Sequence, residues 1–173
     1  MRVRWIAAGV AIAAFLDLAW CGGVSAGLRG NWSESMPRGI WWAEKFDGVP
    51  HRGDIVMACV PYSDQIVPYL GHGSCPGGIE PVLKVVAAIE GDEIEMGPSG
   101  SWVNGAKLEN SQPMQSDSQG LKLKRWPYGT YHVAHGEVYL FSTHSPRSYD
   151  ARYVGPVAVS AIFARGVPVF VWK

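Results

Sequence analysis

After Arg2 and Arg4 the chain runs from Trp5 to Leu28 with Asp17 as its sole charge. A helix of that length matches the hydrocarbon core of a bilayer, roughly 30 Å thick. Basic residues ahead of such a span hold the N-terminus in the cytoplasm and send the remaining chain across the membrane. Residues 1–28 are therefore expected to form a single N-terminal transmembrane helix, with residues 29–173 as one domain beyond it. Val24-Ser25-Ala26 supplies small residues suited to a cleavage site, so a removable signal peptide is the alternative. Leu18-Ala19-Trp20-Cys21 has the outline of a lipoprotein box, but Trp20 is too large for the position before the modified cysteine.

The rest of the chain is punctuated differently. Hydrophobic residues make up 47% of the sequence, yet 21 Gly and 12 Pro break them into short runs, which predicts many short strands and no long amphipathic helices. Asn110 to Gly120 is polar throughout and reads as a loop. The 15 Lys and Arg offset the 15 Asp and Glu, leaving no basic field for phosphates, which argues against nucleic acid as a partner. His132, His135 and His144 lack the flanks of a nucleophile elbow or a zinc helix and read as loop or strand-end residues. No close-spaced Cys and His pairs suggest a metal, and no cofactor is implied. Cys59 and Cys75 flank a turn-rich stretch; in an oxidising compartment they are expected to pair, with two free buried thiols as the alternative.

Four short segments carry the chemistry. Ser33-Glu34-Ser35-Met36-Pro37 follows the apolar segment closely; Pro37 fixes its own φ, pushes Met36 towards an extended conformation, and Gly39 allows a bend. Gly53-Asp54 turns into the apolar run Ile55 to Val60, which reads as a buried strand. Lys84 is set among Val82, Leu83, Val85, Val86 and Ile89. Burial in such a strand disfavours the ammonium and makes the amine a usable base near neutral pH; an edge lysine whose head reaches water is the plainer reading. Finally Ser148, Asp150 and Arg152 stand at alternate positions, which in an extended segment puts all three on one face. An Asp-Arg pair there braces a site or is a surface ion pair of little consequence.

The order and spacing of these segments, from Ser33 to Pro156, resemble the type I signal (leader) peptidase family. The matching stretches are Ser33-Glu34-Ser35-Met36, Gly53-Asp54-Ile55-Val56, Lys84 with Gly91-Asp92, and Ser148-Tyr149-Asp150-Ala151-Arg152-Tyr153-Val154-Gly155. Ser-Met-Pro-Arg-Gly-Ile-Trp replaces the Ser-Met-x-Pro-Thr of housekeeping members, and Ser142-Thr143-His144 takes the place of their Gly-Asp-Asn. These departures, with the short chain, look more like the TraF-type branch found with conjugative plasmid transfer.

The resemblance implies a mainly β fold: an antiparallel, signal-peptidase-like domain of partly closed, barrel-like sheets behind the transmembrane helix. It implies a serine endopeptidase with Ser35 as nucleophile and Lys84 as general base, a Ser-Lys variant of the triad logic. Ser33 would supply an oxyanion donor beside the Ser35 N–H, Ser148 would orient the lysine, and Asp150 and Arg152 would hold that loop. The implied setting is the periplasmic face of the inner membrane, in contact with lipid. The implied partners are a precursor protein and type IV secretion components, with the precursor a pilin that some members join into a ring. A general signal peptidase acting on secretory precursors is the rival within the class. A non-catalytic, membrane-tethered β module of a secretion apparatus is the rival outside it. Trp41 and Trp42 are read either as interfacial or as core.

Overall fold

The computed structural model describes residues 2–46, 48–63 and 66–172, leaving the side chains of residues 2–9, 11 and 67 outside that description, Arg2 and Arg4 among them. A helix, α1 (Arg2–Ala26), leads directly into the first strand. Among the described residues no helix is long and apolar enough to cross a membrane. Its described large side chains, including Ile12, Phe15, Leu16 and Leu18, nevertheless stand exposed. Arg29, the residue that follows Leu28, donates back to the carbonyls of Val24 and Leu28 at 2.7 and 2.8 Å. A cation at a helix C-terminus is favoured there by the dipole and by the unpaired carbonyls.

The strands are β1 (Leu28–Asn31), β2 (Arg38–Lys45), β3 (Ile55–Ala58), β4 (Val82–Ala88), β5 (Glu93–Gly97), β6 (Gly100–Val103), β7 (Ala106–Lys107), β8 (Gly129–His132), β9 (Glu137–Phe141), β10 (Val157–Ala158) and β11 (Ile162–Trp172). A one-turn helix, α2 (Ala151–Val154), separates β9 from β10. Seven strands form one sheet in the order β1-β2-β11-β3-β4-β9-β10, and four form another in the order β7-β6-β5-β8. Each pairing within them is antiparallel. Leu28, expected at the end of the anchor, is instead the first residue of β1, opposite Trp42.

Neither sheet closes, which corrects the expectation of barrel-like sheets. Closure requires the outer strands to pair with each other, and here β1 and β10 end the larger sheet at opposite edges with four and two residues. Strand number and antiparallel alternation follow from the residues. The open edges follow from how short the outermost strands are.

Side chains from β3, β4, β9 and β11, among them Val56, Val86, Val138, Leu140 and Ile162, make the largest core cluster. A second cluster, with Phe141, Ile94, Met96 and Val103, packs the smaller sheet onto β4 and β9. A third, with Met36, Trp41, Met57 and Ala164, lies under the Ser33–Met36 turn. Trp41 is thus core, 2% exposed, while Trp42 stands 37% exposed, so only the second is free to meet an interface. Gly39 is required by its neighbours as well as by its φ of 140°: a Cβ there would lie 2.1 Å from the Phe170 carbonyl oxygen.

Candidate active site

Ser35 sits on the turn between β1 and β2, and Asn31 organises that turn. The Asn31 amide nitrogen donates to the carbonyls of Met36 and Pro37 at 2.9 and 3.1 Å, and to that of Ser33 at 3.3 Å. Its Oδ1 accepts from the Ser33 N–H at 3.3 Å and from the Ser33 hydroxyl at 2.8 Å. The Trp41 indole N–H caps the same turn from below, donating to the Pro37 carbonyl at 3.1 Å. Ser33 is exposed and Ser35 half-buried.

Lys84 lies in the middle of β4 on the same face as Val82 and Val86, and is only 4% exposed. Desolvation pushes its ammonium down to about 8; Asp150 opposes that shift and Arg152 adds to it. The lysine is therefore still mostly charged at pH 7 and reaches balance near pH 8, well below the ordinary lysine range. In the β4–β9 ladder Val85 faces Phe141, so the next step of the register brings Ser142 level with Lys84. The Ser142 hydroxyl donates to the Ser35 carbonyl, which draws the serine turn to the same level as the lysine.

Ser148, Asp150 and Arg152 are all buried, but not along one extended face as the alternation suggested. Asp150 is the N-cap of α2, accepting from the Arg152 N–H, and Arg152 belongs to that helical turn. One turn is too short to display a helical period in the sequence. The guanidinium forms a two-pronged bond to Asp150, both contacts 2.8 Å. Its remaining N–H groups reach the carbonyls of Asn110, Gln112, Pro146 and Ser148 at 2.9 to 3.0 Å. The pair thus knots two loops together, the one after β7 and the one after β9. By contrast the Ser148 hydroxyl is buried with no hydrogen-bond partner among the described residues.

Ser33, Ser35, Lys84 and Ser148 line one cleft of about 780 Å³, whereas Asp150 and Arg152 stand behind it. Cys59 and Cys75 are joined in a disulfide across 16 residues. The intervening loop contributes Tyr69 and His72 to the cleft. The polar stretch after Asn110 supplies another part of the lining, with Met114, Asp117 and Leu123. The Tyr69 hydroxyl donates to Asp117 at 2.8 Å, joining the two loops, and burial together with that carboxylate pushes the phenol up to about 12.

The profile of the family described as signal peptidase, peptidase S26, matches residues 2–172. The chain belongs to that family. Among S26 relatives, a plasmid transfer protein TraF from Escherichia coli is 35% identical over 176 residues, covering 98% of each chain. A second Escherichia coli plasmid transfer protein TraF is 36% identical over 152 residues, covering 85% of each. A probable conjugal transfer protein TraF from Sinorhizobium fredii (strain NBRC 101917 / NGR234) is also 36% identical, over 85% of this chain and 77% of its own. A solved signal peptidase I from Enterococcus faecalis V583 superposes on 72% of this chain and 100% of its own, at 19% identity and a TM-score of 0.41, too distant for its geometry to be carried over.

Within this S26 chain, two residues that bond the serine turn, Asn31 in the cleft lining and Ser142 buried behind it, were given no role by the sequence reading. Asn31 opens the serine segment and was given no role there; its signal was a short amide side chain just ahead of a Ser-x-Ser-x-Pro turn, a position suited to bonding nearby backbone. Ser142 showed itself only at the end of an apolar strand and, with Thr143 and His144, in the place of the housekeeping Gly-Asp-Asn, neither of which told of a bond to Ser35. Its partner is 107 positions away in the sequence, and no local pattern records a bond of that kind.

Proposed function

We propose that this S26 peptidase is a serine endopeptidase using Ser35 and Lys84, and that its substrate is the pilin precursor of a conjugative transfer system. The observation that carries the reading is a single cleft lined by Ser35 and by a buried lysine whose ammonium is pushed down to about 8. A lysine with an ordinary side-chain pKa is a poor base at neutral pH, and one near 8 suits proton transfer. Neutral Lys84 takes the Ser35 proton as the hydroxyl oxygen attacks the scissile carbonyl. The tetrahedral oxyanion is met by the Ser35 N–H and by the Ser33 hydroxyl once that turns away from Asn31. Collapse breaks the C–N bond, the lysine ammonium protonates the departing amine, and an ester on Ser35 remains. Water releases a linear product; the amino group at the substrate's own other end releases a ring.

The pilin reading is supported by the relatives, which are named for plasmid and conjugal transfer. The membrane reading is supported by α1, whose apolar residues favour no one face and which carries Asp17 as its sole charge after Arg4. It is supported further by exposed Trp32, Phe170 and Trp172, whose rings lie together beside the serine turn. Aromatic side chains of this kind favour the interfacial layer. On this reading the catalytic domain lies in the periplasm, held against the inner membrane where a membrane-inserted precursor presents its cleavage site.

The test is co-expression with candidate pilin and secretory precursors of the wild type, Ser35→Ala and Lys84→Ala, followed by product masses and membrane fractionation. Processing by the wild type alone is the expected result. Processing that survives both substitutions sinks the Ser-Lys assignment. Processing of unrelated secretory precursors replaces the pilin with a general substrate. A product one water lighter than the linear fragment identifies ring closure, and recovery of the wild type in the soluble fraction removes the anchor.

A further inference from the structure

The orientation of the Asn31 amide is fixed by its surroundings. Three carbonyl oxygens face one end of it, and an N–H with a hydroxyl faces the other. Turning the amide over would set its oxygen against three acceptors, so the nitrogen must point to the carbonyls and the oxygen to Ser33. The Ser33 hydroxyl therefore gives its one proton to Asn31 in the resting cleft.

On the opposite side of the turn, Ser142 is completely buried. Its oxygen accepts from the N–H groups of His144 and Ser145 at 3.2 and 3.1 Å, which fills its lone pairs. Its proton goes to the Ser35 carbonyl. Its own backbone N–H donates to Asp150 at 3.0 Å. The Ser35 carbonyl is therefore attached, through one side chain, to the loop that carries Ser148 and to the strand end level with Lys84.

We propose that Asn31 and Ser142 are positioning residues that form a two-sided clamp, holding Ser35 at the attack geometry set by Lys84. Asn31 fixes the carbonyls of residues 33, 36 and 37, and Ser142 fixes that of residue 35. Neither touches the reacting atoms. Core packing reaches the turn between β1 and β2 from below, at Met36 and Trp41, while Ser33 and Glu34 on its outer side are exposed and rely on side-chain bonds to the backbone. This inference rests on Ser35 being the nucleophile.

The test uses the purified full-length chain in detergent and the precursor that the wild type processes, with Asn31→Ala, Ser142→Ala and Ser142→Thr. A misplacement near 1 Å at a reacting centre costs roughly 100-fold, so the two alanine variants are expected to lose about that factor in kcat with KM within about threefold. The rate should still rise through the same pH near 8, because Lys84 keeps its surroundings. Ser142→Thr retains the hydroxyl and should recover most of the loss. The double alanine variant should fall little below either single one, since both act on one group.

Hydrogen exchange supplies a readout independent of turnover. Asn31→Ala should speed exchange at residues 33–37 and leave β3 and β4 protected. Unchanged kcat in Asn31→Ala, a raised KM with kcat retained, or faster exchange spread through β3 and β4 overturns the clamp. Should Ser142→Ala fail to fold, Asn31→Ala and Ser142→Thr decide the matter. Turnover that persists in Ser35→Ala counts against the serine reading, whereas the exchange pattern judges the clamp alone.

Discussion

Two groups of buried polar residues meet at one end of β4 and β9, and they are treated in opposite ways. Asp150 and Arg152 are each 2% exposed, and their charges and donors are met by one another and by backbone carbonyls. Lys84 and Ser148 are buried as deeply, at 4% and 3%, yet burial pushes the lysine down to about 8 and the serine hydroxyl has no partner among the described residues. Depth is equal, so burial alone does not separate them. Satisfaction separates Ser148 from the bonded pair, which fixes loops, and on the proposed reading the unpartnered hydroxyl and the lysine pushed down by burial are the groups suited to proton transfer. The fold supports the second by over-determining the first.

The sharpest way to break this comparison is to remove the arginine. Arg152→Met leaves Asp150 charged and buried and strips four carbonyls of their donor, and breaking one side of a buried pair costs about 3–5 kcal/mol. Urea unfolding of the full chain should show that loss. A change under about 1 kcal/mol, the size of a surface pair, makes the knot incidental.

The lysine should answer with the opposite sign. Holding an amine from 10.5 to about 8 costs the folded state on the order of 3 kcal/mol at neutral pH, so Lys84→Met should abolish processing and yet stabilise the domain by about that amount. Between about pH 8 and the point where tyrosines titrate near 10, the unfolded wild type binds more protons than the folded one. Its stability therefore rises with pH across that window, and the rise should vanish in Lys84→Met. Above it, Tyr69 and Tyr139, both pushed up to about 12, pull stability down again in either protein. Activity follows the same lysine: kcat/KM of the wild type should rise through about pH 8 as the base loses its proton. A profile with no inflection between pH 7 and 9, or a destabilised Lys84→Met, removes the lysine from its half of the comparison.

These two halves were unequally legible in the sequence. The apolar run Val82, Leu83, Val85 and Val86 made burial of Lys84 one reading, but alternation offers two faces and an edge lysine reaching water was the plainer one. The fold decides it by turning Lys84 to the face of Val82 and Val86. Ser35 is visible only through the order of the four segments, since a serine before Met-Pro is an ordinary turn residue. The Asp150–Arg152 pairing was anticipated, but its form was not. Alternate positions suggested an extended face, whereas Asp150 caps a single helical turn. Ser142 and Asn31 were invisible because they act by side-chain bonds to backbone, which have no periodicity. The open sheets were missed for a related reason: strand count is local, but closure depends on which edges meet.

The smallest expected effect sharpens the comparison most. Ser148→Ala deletes a buried hydroxyl that makes no bond in the resting cleft, so the folded state should lose nothing, and a change within about 0.5 kcal/mol is expected. Catalysis should register what stability does not. A hydroxyl that turns to the Lys84 ammonium only when substrate is bound favours its charged form there, so removing it should lower the pH midpoint of kcat below that of the wild type. The looser lysine should cost on the order of 10-fold in rate. Both measurements are needed, because each alone has another explanation. A stability loss of about 1–3 kcal/mol means that the hydroxyl was bonded all along, as the loss of a satisfied buried group requires. In that case Ser148 belongs with Asp150 and Arg152, and Lys84, its ammonium pushed down by burial, is left to stand against the arginine knot.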